Sequence, residues 1–107
     1  MAKNNSVQLV GRVSSAPEEK ILPSGDLLVA FRIIVDRSAA ARKHSDVTVD
    51  TFDCVVWNQS IQKSAMRKTE GDRVEIHGEL RRRFSKGPAG LRSFVSVEVQ
   101  KLSNVKT

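Results

Sequence analysis

Residues 71–84 read GDRVEIHGELRRRF, and this stretch decides which fold the sequence predicts. Apolar residues alternate with polar ones through Val74, Ile76 and Leu80, which is the period of a half-buried strand. Gly78 interrupts the alternation, and a lone glycine inside a strand pattern indicates a bulge or a sharp bend. Because small barrels bend at their corners, the stretch predicts one bent strand of a small closed β-structure.

Beyond Gly78 the same stretch becomes strongly basic. Neighbouring strand residues point to opposite faces, so Arg81 and Arg83 share one face of the predicted strand. Leu80, Arg82 and Phe84 share the other face. A basic strand that leaves a barrel corner predicts a surface for phosphate groups.

Four further segments alternate in the same way and predict strands over 6–13, 26–37, 51–57 and 94–102. A short amphipathic helix is predicted over 58–68, with Ser60 as its N-cap. Proline and glycine predict turns in 14–25 and a hairpin loop over 85–90. Residues 38–50 show little periodicity and predict a flexible basic loop, with a short helix over 39–43 as the alternative.

Five strands with one short helix between the third and the fourth predict an all-β domain. The most economical arrangement is a five-stranded Greek-key barrel of the OB-fold type, and a sandwich of similar strand count is the alternative. At 107 residues the chain fits a single domain spanning 1–107. We expect residues 1–5 and 103–107 to be frayed.

The composition points to a polyanionic partner, because the net charge is +6. No apolar run approaches the roughly 20 residues of a membrane-spanning helix, and no export signal precedes Val7. The single cysteine, Cys54, lies in a strand pattern and fits a reducing compartment as a core residue. We therefore expect a cytoplasmic, nucleoid-associated protein without membrane contact.

Motifs for catalysis are missing from the sequence. It contains no GxxxxGK[ST], GxGxxG or GxSxG, and no CxxC pair. His44 and His77 lie far apart in sequence, and Asp50 and Asp53 fall on opposite faces of a strand. We expect no enzyme, no cofactor and no metal site.

Trp57 falls on the outward face of the predicted strand 51–57. Single-stranded nucleic acid is held by a basic groove and by aromatic platforms for the bases, each stack contributing roughly 1–3 kcal/mol. A subunit interface is the alternative role of Trp57, and a solvated surface is the alternative for the basic run. The predicted nucleic-acid-binding residues are Trp57, Arg81, Arg83, Phe84, Lys86, Arg92, Arg32 and Arg37.

The other aromatic residues are assigned by the same alternation. Phe31, Phe52 and Phe94 are predicted to be buried rather than to stack on bases. Phe84 fits either environment, because the loop that follows can turn it outward.

Four runs resemble the bacterial single-stranded DNA-binding protein (SSB) family in order and spacing. They are LVGRV at 9–13 with AP at 16–17, PSG at 23–25 with VAFR at 29–32, FDCVVW at 52–57, and EGDRV at 70–74 with GELR at 78–81. The likeness extends to Val99. It implies an OB-fold, sequence-tolerant binding of single-stranded DNA in replication, repair or recombination, and a homotetramer built from dimers.

Residue by residue, the resemblance assigns roles to matching positions. Trp57 matches a base-stacking aromatic of the family's third strand, and Arg81 and Arg83 match basic positions of its fourth. The strand around Val7 and Leu9 matches the edge that pairs across the family's dimer axis. We therefore expect Val7 and Leu9 at a subunit interface.

The sequence also departs from the family. Three other stacking positions fall near Ala39, on Thr51 and on Ser85, with Phe84 one place away. The family's flexible C-terminal region and acidic tip, which recruit other replication proteins, have no counterpart in this sequence. We expect a short, divergent member in which charge contributes more to binding than stacking does.

Two other functions fit the same features. One is a short primosome-type OB protein that acts mainly as a protein–protein adaptor in replication restart, for which a dimer rather than a tetramer is expected. The other is an OB-fold protein that binds RNA.

Overall fold

The structure, a computed structural model, describes residues 4–105. Within this range there are six strands and two helices. In chain order they are β1 (Val7–Val13), β2 (Glu18–Ile21), β3 (Leu27–Asp36), α1 (Ala39–Arg42), β4 (Val49–Val56), α2 (Gln59–Met66), β5 (Arg73–Gly87) and β6 (Gly90–Asn104).

The strands form one sheet in the order β1-β5-β6-β4-β3-β2. β1 also pairs with β3, at Arg12↔Ile34 and Val13↔Ile33, so five of the strands form a closed ring. β2 lies outside the ring against β3, and only the β4–β6 pairing is parallel among the pairings described. Closure pairs strand edges that an open sheet would leave exposed.

The core fills the inside of this ring. Inward residues of the alternating strands are fully buried, because every second side chain of a strand points to the same face. The largest of them are Ile33, Ile76, Val13, Val29, Val56, Val74 and Val97. Ala65 of α2 is also buried in this cluster, so the helix packs against the ring.

Gly78 marks the bend that the sequence predicts. The pairing of β5 with β6 shifts register between His77 and Gly78, which is the signature of a bulge. A Cβ atom at Gly78 would overlap the carbonyl oxygen of Glu98 and lie 2.9 Å from its carbonyl carbon. The glycine is therefore required by the close approach of the two backbones.

Two elements lie where the sequence predicts turn or loop. β2 occupies 18–21 within the predicted turn region 14–25, and all four of its residues are exposed. A charged edge strand has no buried face, so it shows no apolar alternation. Residues 38–50 contain α1 and the start of β4, so the short helix, not an uninterrupted loop, is observed there.

The N-cap of α2 is Asn58, and the prediction of Ser60 is wrong. The Asn58 side chain accepts hydrogen bonds from the backbone N–H of Ser60 at 2.9 Å and of Ile61 at 3.2 Å. Asparagine and serine are comparable caps, so sequence preference alone did not separate the two positions.

The hairpin between the last two strands is longer than predicted. The residues predicted as a loop over 85–90 belong mainly to strands, which pair as far as Gly87↔Gly90 around a turn at Pro88 and Ala89. β6 consequently begins at Gly90 rather than at Phe94. Glycine and proline in this segment indicated a turn but did not locate its ends.

The described residues near the termini, which the sequence predicts to be frayed, make ordered contacts. The Asn5 side chain exchanges two hydrogen bonds, each 2.9 Å, with the backbone of Leu80. Ser103 and Asn104 belong to β6. Residues 1–3 and 106–107 lie outside the described residues, and within 4–105 no helix is long and apolar enough to cross a membrane.

Candidate nucleic-acid interface

The end of the β5–β6 hairpin stands clear of the closed ring. Every residue from 82 to 95 is exposed, and we call this segment the distal hairpin. Its two strands stay paired throughout, so the backbone fixes the order of its residues along a ribbon and the face on which each one lies. A paired ribbon without a covered face is suited to contact an extended ligand.

The distal hairpin concentrates positive charge. It contains Arg82, Arg83, Lys86 and Arg92 and no acidic residue. Among residues 4–105, none of these four has a carboxylate within ion-pair distance. Arg82 instead donates to Ser93 Oγ at 3.1 Å. The run RRR contained the signal for Arg82, but Arg82 is absent from the set of predicted binding residues.

Aromatic side chains accompany these cations. Phe84 is 63% exposed and Phe94 is 51% exposed, so the prediction that Phe94 is buried is wrong. Its strand continues beyond the ring, where neither face is covered. Phe31 is buried and Phe52 half-buried, as expected. The distal hairpin therefore offers two accessible rings.

Pairing assigns the side chains to the two faces of the hairpin, because cross-strand partners share a face. Arg83 pairs with Phe94 on one face, and Phe84 pairs with Ser93 on the other. The predicted separation of Arg83 from Phe84 is thus confirmed. Both faces carry a cation and an aromatic ring.

Trp57, which directly follows β4, connects the ring of strands to the distal hairpin. The Arg83 guanidinium carbon lies 5.8 Å from the centroid of the half-buried indole. This is a cation–π contact, worth about 0.5–1 kcal/mol at exposed sites. The aromatic ring that the sequence predicts as a stacking platform and a cation without an acidic partner thus lie in contact.

Gln62 holds the backbone beneath Trp57. Its side chain is buried, and its Nε2 donates to the carbonyl oxygens of Leu27 and Val56, both at 3.0 Å, and of Trp57 at 3.3 Å. No sequence pattern distinguished Gln62, because a glutamine in an amphipathic helix usually faces solvent. It fixes α2 to the ends of two strands and to the start of the site.

We expect Gln62→Met to lower the free energy of unfolding by about 1–3 kcal/mol, because carbonyl groups near the core lose their donor without a change in side-chain volume. Urea unfolding followed by circular dichroism measures this loss. Gln59→Met, on the exposed first turn of α2, is the matched control and should be close to neutral. Equal stability of the two variants would contradict the assigned role.

Arg81 differs from the cations of the distal hairpin because acids surround it. Its guanidinium contacts Glu79 at 2.6 Å and Glu98 at 3.3 Å. The hydrogen bond to Glu79 and the charge of Glu98 raise the pKa of Arg81. Glu79 and Glu98 face each other across the strands, so Arg81 joins two like charges at the base of the hairpin.

Arg32 and Arg37 are also paired with acids. Arg32 contacts its cross-strand partner Asp53 at 2.8 Å. Arg37 binds both carboxylate oxygens of Asp50, at 2.8 and 3.0 Å, and this hydrogen bonding lowers the pKa of Asp50. The structure thus divides the predicted basic set into neutralised cations near the ring and unpaired cations on the distal hairpin.

Val7 and Leu9 lie on β1 with half-buried side chains that pack against the core of their own chain. From Val7 to Gly11, β1 pairs with β5 on one side only, and its pairing with β3 begins at Arg12. In the described structure this part of β1 therefore has one open backbone edge.

Within residues 4–105, the single cysteine and the potential metal ligands form no cluster. Burial raises the pKa of Cys54 to about 12, so its thiol stays protonated at neutral pH. In the part of the chain that the structure describes, no group of three or more His, Cys, Asp or Glu residues could hold a metal ion.

Comparison with known proteins decides the family. The model of the single-strand binding protein family matches residues 4–105. The chain belongs to the single-strand binding protein family. The resemblance seen in the sequence motifs is thereby confirmed.

Curated relatives in the SSB family share the region of the fold described above. The single-stranded DNA-binding protein of Bacillus cereus is 29% identical over 92 residues, which cover 86% of this chain and 54% of that protein. Single-stranded DNA-binding protein A of Bacillus subtilis is 30% identical over 96 residues, covering 90% and 55%. The chain thus spans about half the length of the curated relatives it matches.

A solved structure described as a Plasmodium falciparum SSB complex with single-stranded DNA has the same fold. It is 24% identical, with a TM-score of 0.77, and the match covers 96% of this chain and 94% of that one. The predicted OB-fold is therefore confirmed for this SSB-family chain, with β2 as an added edge strand.

Proposed function

We propose that this chain binds single-stranded DNA without sequence preference and acts in DNA replication, repair or recombination. The observation that carries the proposal is the distal hairpin, which presents four cations without a carboxylate partner among residues 4–105 and two exposed phenylalanines, and from which Arg83 contacts Trp57. The family and the names of the relatives support the same function. Neither curated relative is named as an adaptor, so the primosome-type alternative is not favoured.

Binding divides between charge and stacking. Arg82, Arg83, Lys86 and Arg92 neutralise phosphate groups, which releases counterions from the strand. Bases stack on Phe84, Phe94 and Trp57, and every base offers a π-face, so the contact tolerates any sequence. Arg83 lies over Trp57, so a base that stacks on this face displaces the guanidinium, which remains close enough to contact the phosphate of that base.

The open edge of β1 supports a proposal about assembly. An unpaired strand edge recruits a second strand through backbone hydrogen bonds. We propose that β1 around Val7 and Leu9 pairs with its counterpart in a second copy, and that such dimers form a homotetramer. We further propose that the protein works in the cytoplasm on the nucleoid, by binding alone, without a cofactor.

Titration of the single tryptophan, Trp57, with oligo-dT at two salt concentrations tests the function. We expect fluorescence quenching and an affinity that falls with salt, with a slope of about −0.7 per neutralised phosphate or roughly −3 for four contacts. Oligo-U as competitor measures the preference for DNA over RNA. Absence of both quenching and salt-sensitive binding would refute the proposal.

A further inference from the structure

A second basic surface lies far from the distal hairpin, between the end of α2, the start of β5 and the end of β6. It is a cleft of about 570 Å³ whose charged lining consists of Arg67, Lys68, Arg73 and Asp72. We call it the α2–β5 cleft. Arg73 also lines a smaller neighbouring cleft of about 250 Å³ together with Arg12.

The cations of the α2–β5 cleft have no carboxylate partner within residues 4–105. Lys68 Nζ donates to the neutral side chain of Asn104 at 2.5 Å. The one acid of the cleft, Asp72, accepts the backbone N–H of Thr69 at 2.8 Å and its hydroxyl at 3.3 Å. The acid therefore braces the turn before β5, and the cleft keeps an excess of positive charge.

Arg73 carries the strongest indication of an anionic ligand. It lies directly opposite Arg12 in the pairing of β1 with β5, and like charges in that arrangement destabilise a sheet. Arg12 has Asp36 at 3.6 Å, whereas Arg73 has no acid in ion-pair contact among the residues described. Arg67 and Lys68 are explained in part by the negative end of α2, but Arg73 lies on a strand and has no such partner.

We propose that the α2–β5 cleft binds a phosphate group of the same single strand that the distal hairpin holds. The inference rests on the proposed function and adds a second contact on the path of the strand. Arg83 lies ten positions after Arg73 on β5, which corresponds to roughly 33 Å along the path of the strand. The lining contains no aromatic residue, so the cleft contacts the backbone of the strand and not its bases.

The test uses Arg67→Gln/Arg73→Gln and two lengths of oligo-dT, about 5 and about 20 nucleotides, which bracket the roughly 4–16 nucleotides that one OB-fold occupies. For the long strand we expect a salt slope smaller by about 1.4 and an affinity about 25-fold lower at about 0.1 M salt. For the short strand, which fills the hairpin site alone, we expect a change within about twofold. Thermal stability should be unchanged or higher, because a like-charge pair is removed.

Arg42→Gln/Lys43→Gln, which removes the same charge from exposed positions at the end of α1, is the matched control. An equal loss in this control, or equal losses for both strand lengths, would overturn the inference, since the effect would then be one of net charge. A third result would also overturn the inference. If inorganic phosphate binds the cleft saturably, but Arg67→Gln/Arg73→Gln does not weaken binding of the long strand more than that of the short one, the site serves a free phosphate compound. Failure of the native protein to bind either strand would instead refute the proposed function.

Discussion

Replacement of Arg82, Arg83, Lys86 and Arg92 by glutamine is expected to weaken binding of oligo-dT about 500-fold at about 0.1 M salt. Each neutralised phosphate contributes a slope of about 0.7 on single strands, so four lost contacts remove nearly three powers of ten and the difference vanishes near about 1 M salt. The four side chains are exposed and make no ion pairs in the described structure, so the fold should persist. Titration of Trp57 fluorescence over a salt series measures the loss.

A pair of double variants separates unpaired from paired cations. Two positive charges are removed in each variant, by Arg83→Gln/Lys86→Gln in one and by Arg32→Gln/Arg37→Gln in the other. In the native structure only Arg32 and Arg37 have acidic partners. We expect the hairpin variant to lose much more affinity. Equal losses would show that net charge and not the position of the unpaired cations governs binding.

Stacking sets the scale for this comparison. Trp57→Ala should cost roughly 1–3 kcal/mol of binding free energy, or about 5- to 150-fold in affinity. We therefore expect the variant with all four hairpin cations replaced to bind more weakly than Trp57→Ala. Because Trp57→Ala lacks the single tryptophan, fluorescence anisotropy of a labelled oligo-dT measures the affinity of both variants. If Trp57→Ala binds more weakly than that variant, stacking dominates and the emphasis on charge is wrong.

Gly78→Ala is expected to lower the free energy of unfolding by about 3 kcal/mol or more, which is a large part of the 5–15 kcal/mol typical of a domain. The added methyl group would overlap the backbone of Glu98, and a paired backbone cannot move aside as a flexible side chain can. Urea unfolding followed by circular dichroism measures the change. To make room for the methyl group, the bulge between β5 and β6 would have to open.

Gly87→Ala is the control for this substitution within the same strand. A Cβ atom at Gly87 meets nothing within 4 Å, so we expect little change or a gain of about 0.4–1 kcal/mol from the less flexible unfolded chain. Similar stability of the two variants would contradict the steric role of Gly78.

The arginines show where prediction from sequence stops. The alternation in 71–84 placed Arg81 and Arg83 correctly on one strand face, and it indicated that the bend lies at Gly78. The alternation could not show that Arg81 and Arg83 have different partners. Arg81 is neutralised in part by Glu98, a residue of the next strand, whereas Arg83 contacts Trp57. Arg32 and Arg37 are likewise neutralised by residues of a different strand.

The sequence by itself determined the β class, the central strands, the bulge at Gly78 and the basic run, because alternation and glycine requirements act over neighbouring residues. The tertiary structure alone decided closure of the ring by β1 and β3, the exposure of Phe94 and the choice of unpaired cations. These features depend on which distant segments meet, since both burial and ion pairing are properties of the neighbours that folding brings together.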